Sequence, residues 1–145
     1  MTRHESRQEA FCLLFEKIFT QSTIEEIAQN AVESREAPLS DYALRLATTT
    51  EAHLEEIDQI ITSKLKKWKL SRIAKVALSI LRLSICEMLY DKEVPVSVSI
   101  NEAVELAKKY AAGEEASFVN GVLGAVAKDL EAGILPGNVI QAKGE

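Results

Sequence analysis

The stretch from Leu70 to Tyr90 most constrains the fold, because its apolar residues cover most of a helix circumference. These positions recur at helical spacing: Ile73, Val76, Ala77, Ile80, Leu81, Leu83, Ile85, Met88 and Leu89. A helix that is apolar on nearly every side is stable only when other elements surround it. The sequence therefore predicts a central helix inside a larger helical domain.

Helical periodicity also marks the rest of the chain. Three prolines and six glycines are the only strong breakers in 145 residues, and no segment shows the alternation of a strand. Ser6-x-x-Glu9, Thr23-x-x-Glu26 and Ser99-x-x-Glu102 are each interpreted as a capping box at a helix start. For the first helix, an earlier start that includes Arg3 to Glu5 is the alternative. The pattern is typical of one all-α domain of about six to seven helices over residues 1–132, followed by a flexible tail at 133–145.

One helical stretch has an uncertain division. It begins near Ser40 and continues to Leu65, with polar residues around Thr48 to Thr50 that could interrupt it. The pattern leaves open whether the stretch forms one helix or two.

The charges are segregated along the chain. The sequence carries 17 basic and 22 acidic residues, yet residues 59–86 contain no acid. The cations of this basic window lie close together: Lys64, Lys66, Lys67, Lys69, Arg72, Lys75 and Arg82. The preceding residues 23–58 are acidic, and their only cations are Arg35 and Arg45. Because cations neutralise phosphates and an aromatic ring stacks on a base, the window with its Trp68 suits single-stranded nucleic acid as a ligand. The alternative interpretation is a solvated helix end whose Trp68 belongs to the core.

No constellation for catalysis is evident. His4 and His53 have no second histidine or cysteine at a ligand spacing, and no glycine-rich phosphate loop occurs. We therefore expect a protein that is not an enzyme and needs no metal or other cofactor. Cys12 and Cys86 lie in apolar helical patterns and are expected to be buried, reduced thiols, which indicates the cytoplasm. No apolar run is long enough to cross a membrane.

Three segments form a series with a defined order and spacing. They are ILRLSICEML (80–89), INEAVELAKKY (100–110) and SFVNGVLG (117–124). The series resembles the NusB family of bacterial transcription antitermination factors. That resemblance implies two small helical bundles packed crosswise. It also implies a heterodimer with NusE, a small-subunit ribosomal protein, that binds single-stranded boxA RNA of ribosomal RNA transcripts, with other Nus factors and RNA polymerase joining indirectly.

The resemblance also implies a set of RNA-binding residues. They match the start of the first helix, the basic window and the ends of the last two helices: Arg3, His4, Arg7, Lys66, Trp68, Tyr110, Glu114 and Phe118. Glu5 departs from the family pattern and is expected to weaken the attraction for RNA. Glu114 repels phosphate but can accept from a base amino group, and an ordinary loop acid is its alternative interpretation. For Trp68 the alternative is a place in the core.

Partner-binding residues implied by the resemblance are Phe15, Arg82 and Glu87. On so apolar a helix, Arg82 and Glu87 can equally be structural polar groups. Ala77 and Cys86 stand where family members often have Glu and Tyr, so an ion pair and a hydroxyl contact are expected to be missing. Two other functions stay open: a helical protein–protein scaffold and an accessory domain of an RNA-modifying system. Self-association into a homodimer is also left open.

Overall fold

The computed structural model describes residues 1–35, 38–66 and 69–134. Within these ranges the chain forms helices and no strand: α1 (Arg3–Ile18), α2 (Ile24–Arg35), α3 (Asp41–Ala52), α4 (Leu54–Ser63), α5 (Lys75–Tyr90), α6 (Val96–Tyr110) and α7 (Gly113–Ala132). A short 3-10 turn, Leu70–Arg72, precedes α5. The prediction of an all-α chain of six to seven helices is confirmed. The predicted tail lies outside the described residues from position 135 onward.

Helix α5 occupies the centre of the fold, as its all-round apolar character predicts. It contacts α1, α3, α4, α6 and α7. Its large apolar side chains Ile80, Leu81, Ile85, Met88 and Leu89 are fully buried. Helices α1, α2 and α3 pack on one another, while α6 and α7 pack together and against α5. The result is two helical groups that share α5 as their common surface.

Two of the predicted helix boundaries are clear in the structure. The capping box at the start of α2 is confirmed, because Glu26 Oε1 accepts from the Thr23 backbone N–H at 2.8 Å and Thr23 Oγ1 accepts from the Glu26 N–H at 3.2 Å. The stretch that begins near Ser40 forms two helices. They meet at His53, which is the C-cap of α3 and the N-cap of α4.

The other two capping predictions are wrong. Helix α1 begins at Arg3, in agreement with the alternative of an earlier start, and α6 begins at Val96, before Ser99. Both serines are buried inside their helices and bond to other elements: Ser6 Oγ accepts from Ser40 Oγ at 2.8 Å, and Ser99 Oγ donates to Glu87 Oε1 at 2.7 Å. In both places, a serine three residues before an acid forms a tertiary hydrogen bond and does not cap the helix.

The two cysteines differ in environment. Cys86 is buried, and burial raises the pKa of its thiol to about 12. Cys12 is exposed on α1, so its predicted burial is wrong. Among the helices in the described ranges, none combines the length and apolar character that a membrane crossing requires.

Candidate RNA and partner interface

Thr2 and Glu5 fix the first turn of α1. Glu5 Oε1 accepts hydrogen bonds from the Thr2 backbone N–H at 3.0 Å and from Thr2 Oγ1 at 2.9 Å. These two donors lower the pKa of Glu5, so its carboxylate is ionised at neutral pH. Glu5 is therefore the acidic member of a capping box, which gives a structural reason for an acid among the cations of this turn.

Arg7 and Glu87 meet in the interior between α1 and α5. They are 4% and 2% exposed, and Arg7 Nε donates to Glu87 Oε2 at 2.9 Å and Oε1 at 3.1 Å. Arg7 Nη1 also lies 3.3 Å from Glu102 Oε1 on α6. The Arg7 guanidinium is therefore engaged inside the molecule and holds α1 against two other helices. The observed contacts of Glu87 are those of a buried structural polar group.

Arg3 and His4 lie at the surface of the same turn. The Arg3 side chain is exposed, and its guanidinium carbon lies 3.7 Å from the ring centroid of Tyr42 on α3. His4 Nδ1 lies 2.5 Å from Glu102 Oε2, and His4 Nε2 lies 3.2 Å from Gln8 Nε2. Contacts with other side chains therefore set the direction of both groups.

A row of aromatic rings follows α1. Tyr110, at the end of α6, is 39% exposed and stacks on Phe11 with centroids 4.9 Å apart. Phe11 lies 6.0 Å from Phe15, which in turn meets Phe19 edge to face at 5.1 Å. Phe19 is 62% exposed and was not predicted, although its spacing of four from Phe15 on a helix could have indicated it. The row joins Tyr110, expected at RNA, to Phe15, expected at the partner.

Helix α7 presents two of the predicted residues near its start. Glu114 is exposed in the first turn, and Phe118 lies one turn later, half-buried against the core. Residues four apart lie on the same side of a helix. The structure thus brings the acid and the ring together.

The basic window divides into paired and exposed cations. Lys64 forms an ion pair with Asp129. Arg82 binds Asp58 through two hydrogen bonds, from Nε at 2.9 Å and from Nη2 at 2.8 Å. Among the described residues of the window, the exposed cations are Lys66, Lys69, Arg72 and Lys75, and Lys67 lies outside the described residues. Trp68 lies outside the described residues.

The two departures from the family pattern on α5 both point inward. Ala77 is 1% exposed and Cys86 is fully buried. A contact between a partner and either side chain is therefore not available at the surface of this chain. Any effect of these departures on a partner would act through packing of α5.

Tyr42 is a second residue near the site, besides Phe19, that sequence reasoning missed. Its hydroxyl lies 2.5 Å from Glu87 Oε2 and 2.8 Å from Asp91 Oδ2. Burial and these two carboxylates raise the pKa of Tyr42. Because its partners are 45 and 49 residues away in sequence, no local pattern could have revealed the contact.

The geometry defines an all-helical binding protein with a surface of cations and aromatic rings. In residues 1–35, 38–66 and 69–134, no group of three or more His, Cys, Asp or Glu side chains is arranged to hold a metal ion. The candidate site is a surface assembled from the ends of α1, α6 and α7.

Comparisons with known proteins identify the family. The NusB family matches residues 4–128. The transcription antitermination protein NusB of Clostridium botulinum (strain Kyoto / Type A2) is 40% identical over 140 residues, which cover 86% of this chain and 98% of that protein. The chain therefore belongs to the NusB family. Because these relatives are transcription antitermination proteins, the prediction that the chain is not an enzyme is confirmed.

Solved structures give the same result. A structure of T. maritima NusB is 29% identical, with a TM-score of 0.78, and the match covers 97% of this chain and 98% of that one. A chain in the crystal structure of the antitermination factors NusB and NusE in complex with dsRNA is 32% identical, with a TM-score of 0.77. That match covers 88% of this chain and 98% of the other.

Proposed function

We propose that this chain is a transcription antitermination factor that binds boxA-type single-stranded RNA of ribosomal RNA transcripts as a heterodimer with NusE. The observation that carries the proposal is its likeness to a chain of the NusB–NusE–dsRNA complex, with a TM-score of 0.77 over 88% of this chain. The RNA in that complex is double-stranded. Exposed aromatic rings favour unpaired RNA for this chain, because only unstacked bases can lie on them.

The RNA side of the proposal rests on groups that remain at the surface. Arg3, His4 and Lys66 supply positive charge or hydrogen-bond donors for phosphates. Tyr110 and Phe118 supply rings for stacking. Arg7 supports this surface from inside, where it holds the first turns of α1 in place. Trp68 is included on the strength of its sequence position alone.

Glu114 modulates the affinity of this surface for RNA. Its carboxylate lies one turn from Phe118 and is exposed. A carboxylate at that place repels phosphate and accepts a hydrogen bond from a base amino group, so it lowers affinity while it favours certain bases.

The partner side is centred on Phe15. This ring is half-buried between Phe11 and the exposed Phe19, which together offer an aromatic surface of the kind that dominates protein interfaces. Arg82 lies near Asp58, and its charge is largely satisfied within the chain. Glu87 acts indirectly, by fixing α5 against α1.

The assembly extends beyond the heterodimer. The NusE complex on boxA RNA joins other Nus factors and RNA polymerase, which places the function in the cytoplasm of a bacterium. Residues 1–132 form the functional domain in this proposal. A homodimer of the free chain is an alternative state in which the partner surface is covered.

A co-purification experiment tests the heterodimer. Tagged chain is co-expressed with NusE, and the recovered complex is sized by gel filtration with light scattering. A 1:1 complex is expected. Phe15→Ala should reduce recovery of NusE, whereas Leu44→Ala, which truncates an exposed apolar residue of α3, serves as control. Recovery of the chain without NusE, with both variants equal to wild type, would contradict the proposal.

A further inference from the structure

The ring of Tyr42 contacts two arginines that lie far apart in sequence. The guanidinium carbon of Arg3 lies 3.7 Å from the Tyr42 ring centroid, and that of Arg45 lies 5.4 Å from it. Both distances are within the range of a cation–π interaction. Arg45 is one of two cations in the acidic stretch 23–58, so its position at the same ring as Arg3 brings two cations to a place where the sequence indicated no cluster.

These two arginines differ from others in how their charge is used. Arg7 and Arg82 each bind a carboxylate through short hydrogen bonds. Arg3 and Arg45 are both exposed, and in the described part of the chain neither forms a hydrogen bond or an ion pair. Their N–H donors are therefore left for a ligand.

The ring contact preserves those donors. A cation–π contact uses the face of the guanidinium, whereas its hydrogen-bond donors lie along the edge of the plane. An arginine beside an aromatic ring is thus held in position with its fork of N–H groups intact. A held arginine loses less side-chain entropy when it binds a phosphate than one that moves freely.

Tyr42 itself is held firmly. Its hydroxyl contacts Glu87 and Asp91 on α5, and Glu87 is in turn bound by Arg7 and Ser99. The support for the two surface arginines therefore reaches the centre of the fold. Few rotations of the Tyr42 ring are compatible with these contacts.

The surrounding cleft indicates where an anion would lie. Arg3, Tyr42 and Arg45 line a cleft of about 270 Å³ together with Glu87 and two further acids, Asp91 and Glu93. The two acids repel a phosphate and attract base amino groups. Within this cleft, a phosphate is consequently expected at the two guanidinium groups.

We propose that Arg3 and Arg45, held at the ring of Tyr42, form a binding pair for one backbone phosphate of single-stranded RNA, with Tyr42 as the positioning residue. The proposal rests on the proposed function because its ligand is the same RNA. It adds Arg45 and Tyr42, which neither the sequence pattern nor the family resemblance indicates.

The test measures RNA affinity of the NusE complex by fluorescence anisotropy at several salt concentrations. Arg45→Ala should weaken binding by about threefold to tenfold and reduce the slope of log affinity against log salt by roughly 0.7 to 1. Lys128→Ala removes an exposed cation of α7 and is the matched control, expected to leave both quantities unchanged. Circular dichroism melting confirms that each variant is folded.

A second set of variants separates positioning from general stability. Tyr42→Leu should weaken RNA binding in the wild-type chain but have little further effect when both arginines are already alanine, because the ring acts through them. Tyr42→Phe keeps the ring and should lose less affinity than Tyr42→Leu. Equal losses from Tyr42→Leu in both backgrounds would overturn the positioning role.

Two results distinguish this inference from the proposed function. If Arg45→Ala behaves like Lys128→Ala while Phe118→Ala weakens binding, the phosphate pair is overturned and the proposed function stands. If the wild-type complex shows no preference for boxA over scrambled RNA, the proposed function and the inference both fail.

Discussion

The Arg7 guanidinium and the Glu87 carboxylate form a buried ion pair, 2.9 Å between Nε and Oε2, that fastens α1 to the central helix α5. Ser99 and Tyr42 complete the hydrogen bonding of Glu87 from α6 and α3. Four helices thus meet at one carboxylate. Arg3 and His4 lie in the helical turn just before Arg7. The buried contacts of Arg7 therefore fix the position of these two surface side chains.

Removal of Arg7 is expected to destabilise the chain strongly. Arg7→Ala leaves Glu87 buried without a counter-charge, which typically costs about 3–5 kcal/mol in the free energy of unfolding. Urea denaturation at neutral pH measures this cost. Arg72→Ala, at an exposed arginine, should change stability by only about 0.5 kcal/mol. Similar stability of the two variants would contradict the structural role of the pair.

Loss of the Phe118 ring should reduce RNA affinity without loss of the fold. Stacking of a base on an aromatic ring contributes about 1–3 kcal/mol, so Phe118→Ala should weaken RNA binding by the corresponding factor. Phe118→Leu keeps most of the apolar volume that packs on the core and should weaken RNA binding almost as much. Anisotropy with the NusE complex measures the affinity, and circular dichroism checks the helices. Trp68→Ala is expected to act in the same way, and unfolding by either alanine variant would instead support a core role.

Removal of the charge at Glu114 should tighten RNA binding. Glu114→Gln abolishes the repulsion of phosphate and keeps the shape of the side chain, so we expect affinity to rise by about twofold to fivefold at low salt. The gain should shrink as salt screens the charge. Glu25→Gln, an exposed acid of α2, is the control. A loss of affinity in Glu114→Gln would indicate that the carboxylate mainly accepts from a base.

High pH should reduce the contribution of Tyr42 to the free energy of unfolding. Its pKa in the folded chain is raised by burial and by Glu87 and Asp91, so the folded state favours the protonated hydroxyl. That contribution is fully present below the ordinary tyrosine pKa of about 10 and is lost as pH rises above it. Unfolding free energies of wild type and Tyr42→Phe, measured between about pH 9 and 11, should converge as pH rises. A constant difference would contradict the assignment.

The fold was largely predictable because apolar periodicity is a local signal. The crowded apolar pattern of Leu70–Tyr90 predicted the central helix, and Thr23 with Glu26 marked a true helix start. Ser6 and Ser99 carry the same local signature, but their hydroxyls bind Ser40 and Glu87 across the fold. Local sequence could not distinguish a cap from a tertiary contact.

The candidate site was predictable only in part. The resemblance supplied Arg3, Tyr110 and Phe118, which lie at or near the surface. It also supplied Arg7, which the fold buries against an acid 80 residues away. The number of charges in a segment does not distinguish a buried, ion-paired arginine from an exposed one. It also gave no reason to place Arg45 at the same ring as Arg3.

The affinity of the NusE-loaded chain for boxA RNA, compared with a scrambled RNA of equal length and composition, tests the central claim most directly. Isothermal titration at fixed moderate salt gives both constants. We expect boxA to bind at least tenfold more tightly, since base stacking and hydrogen bonding add to the shared phosphate attraction. Equal affinities for the two RNAs would contradict it.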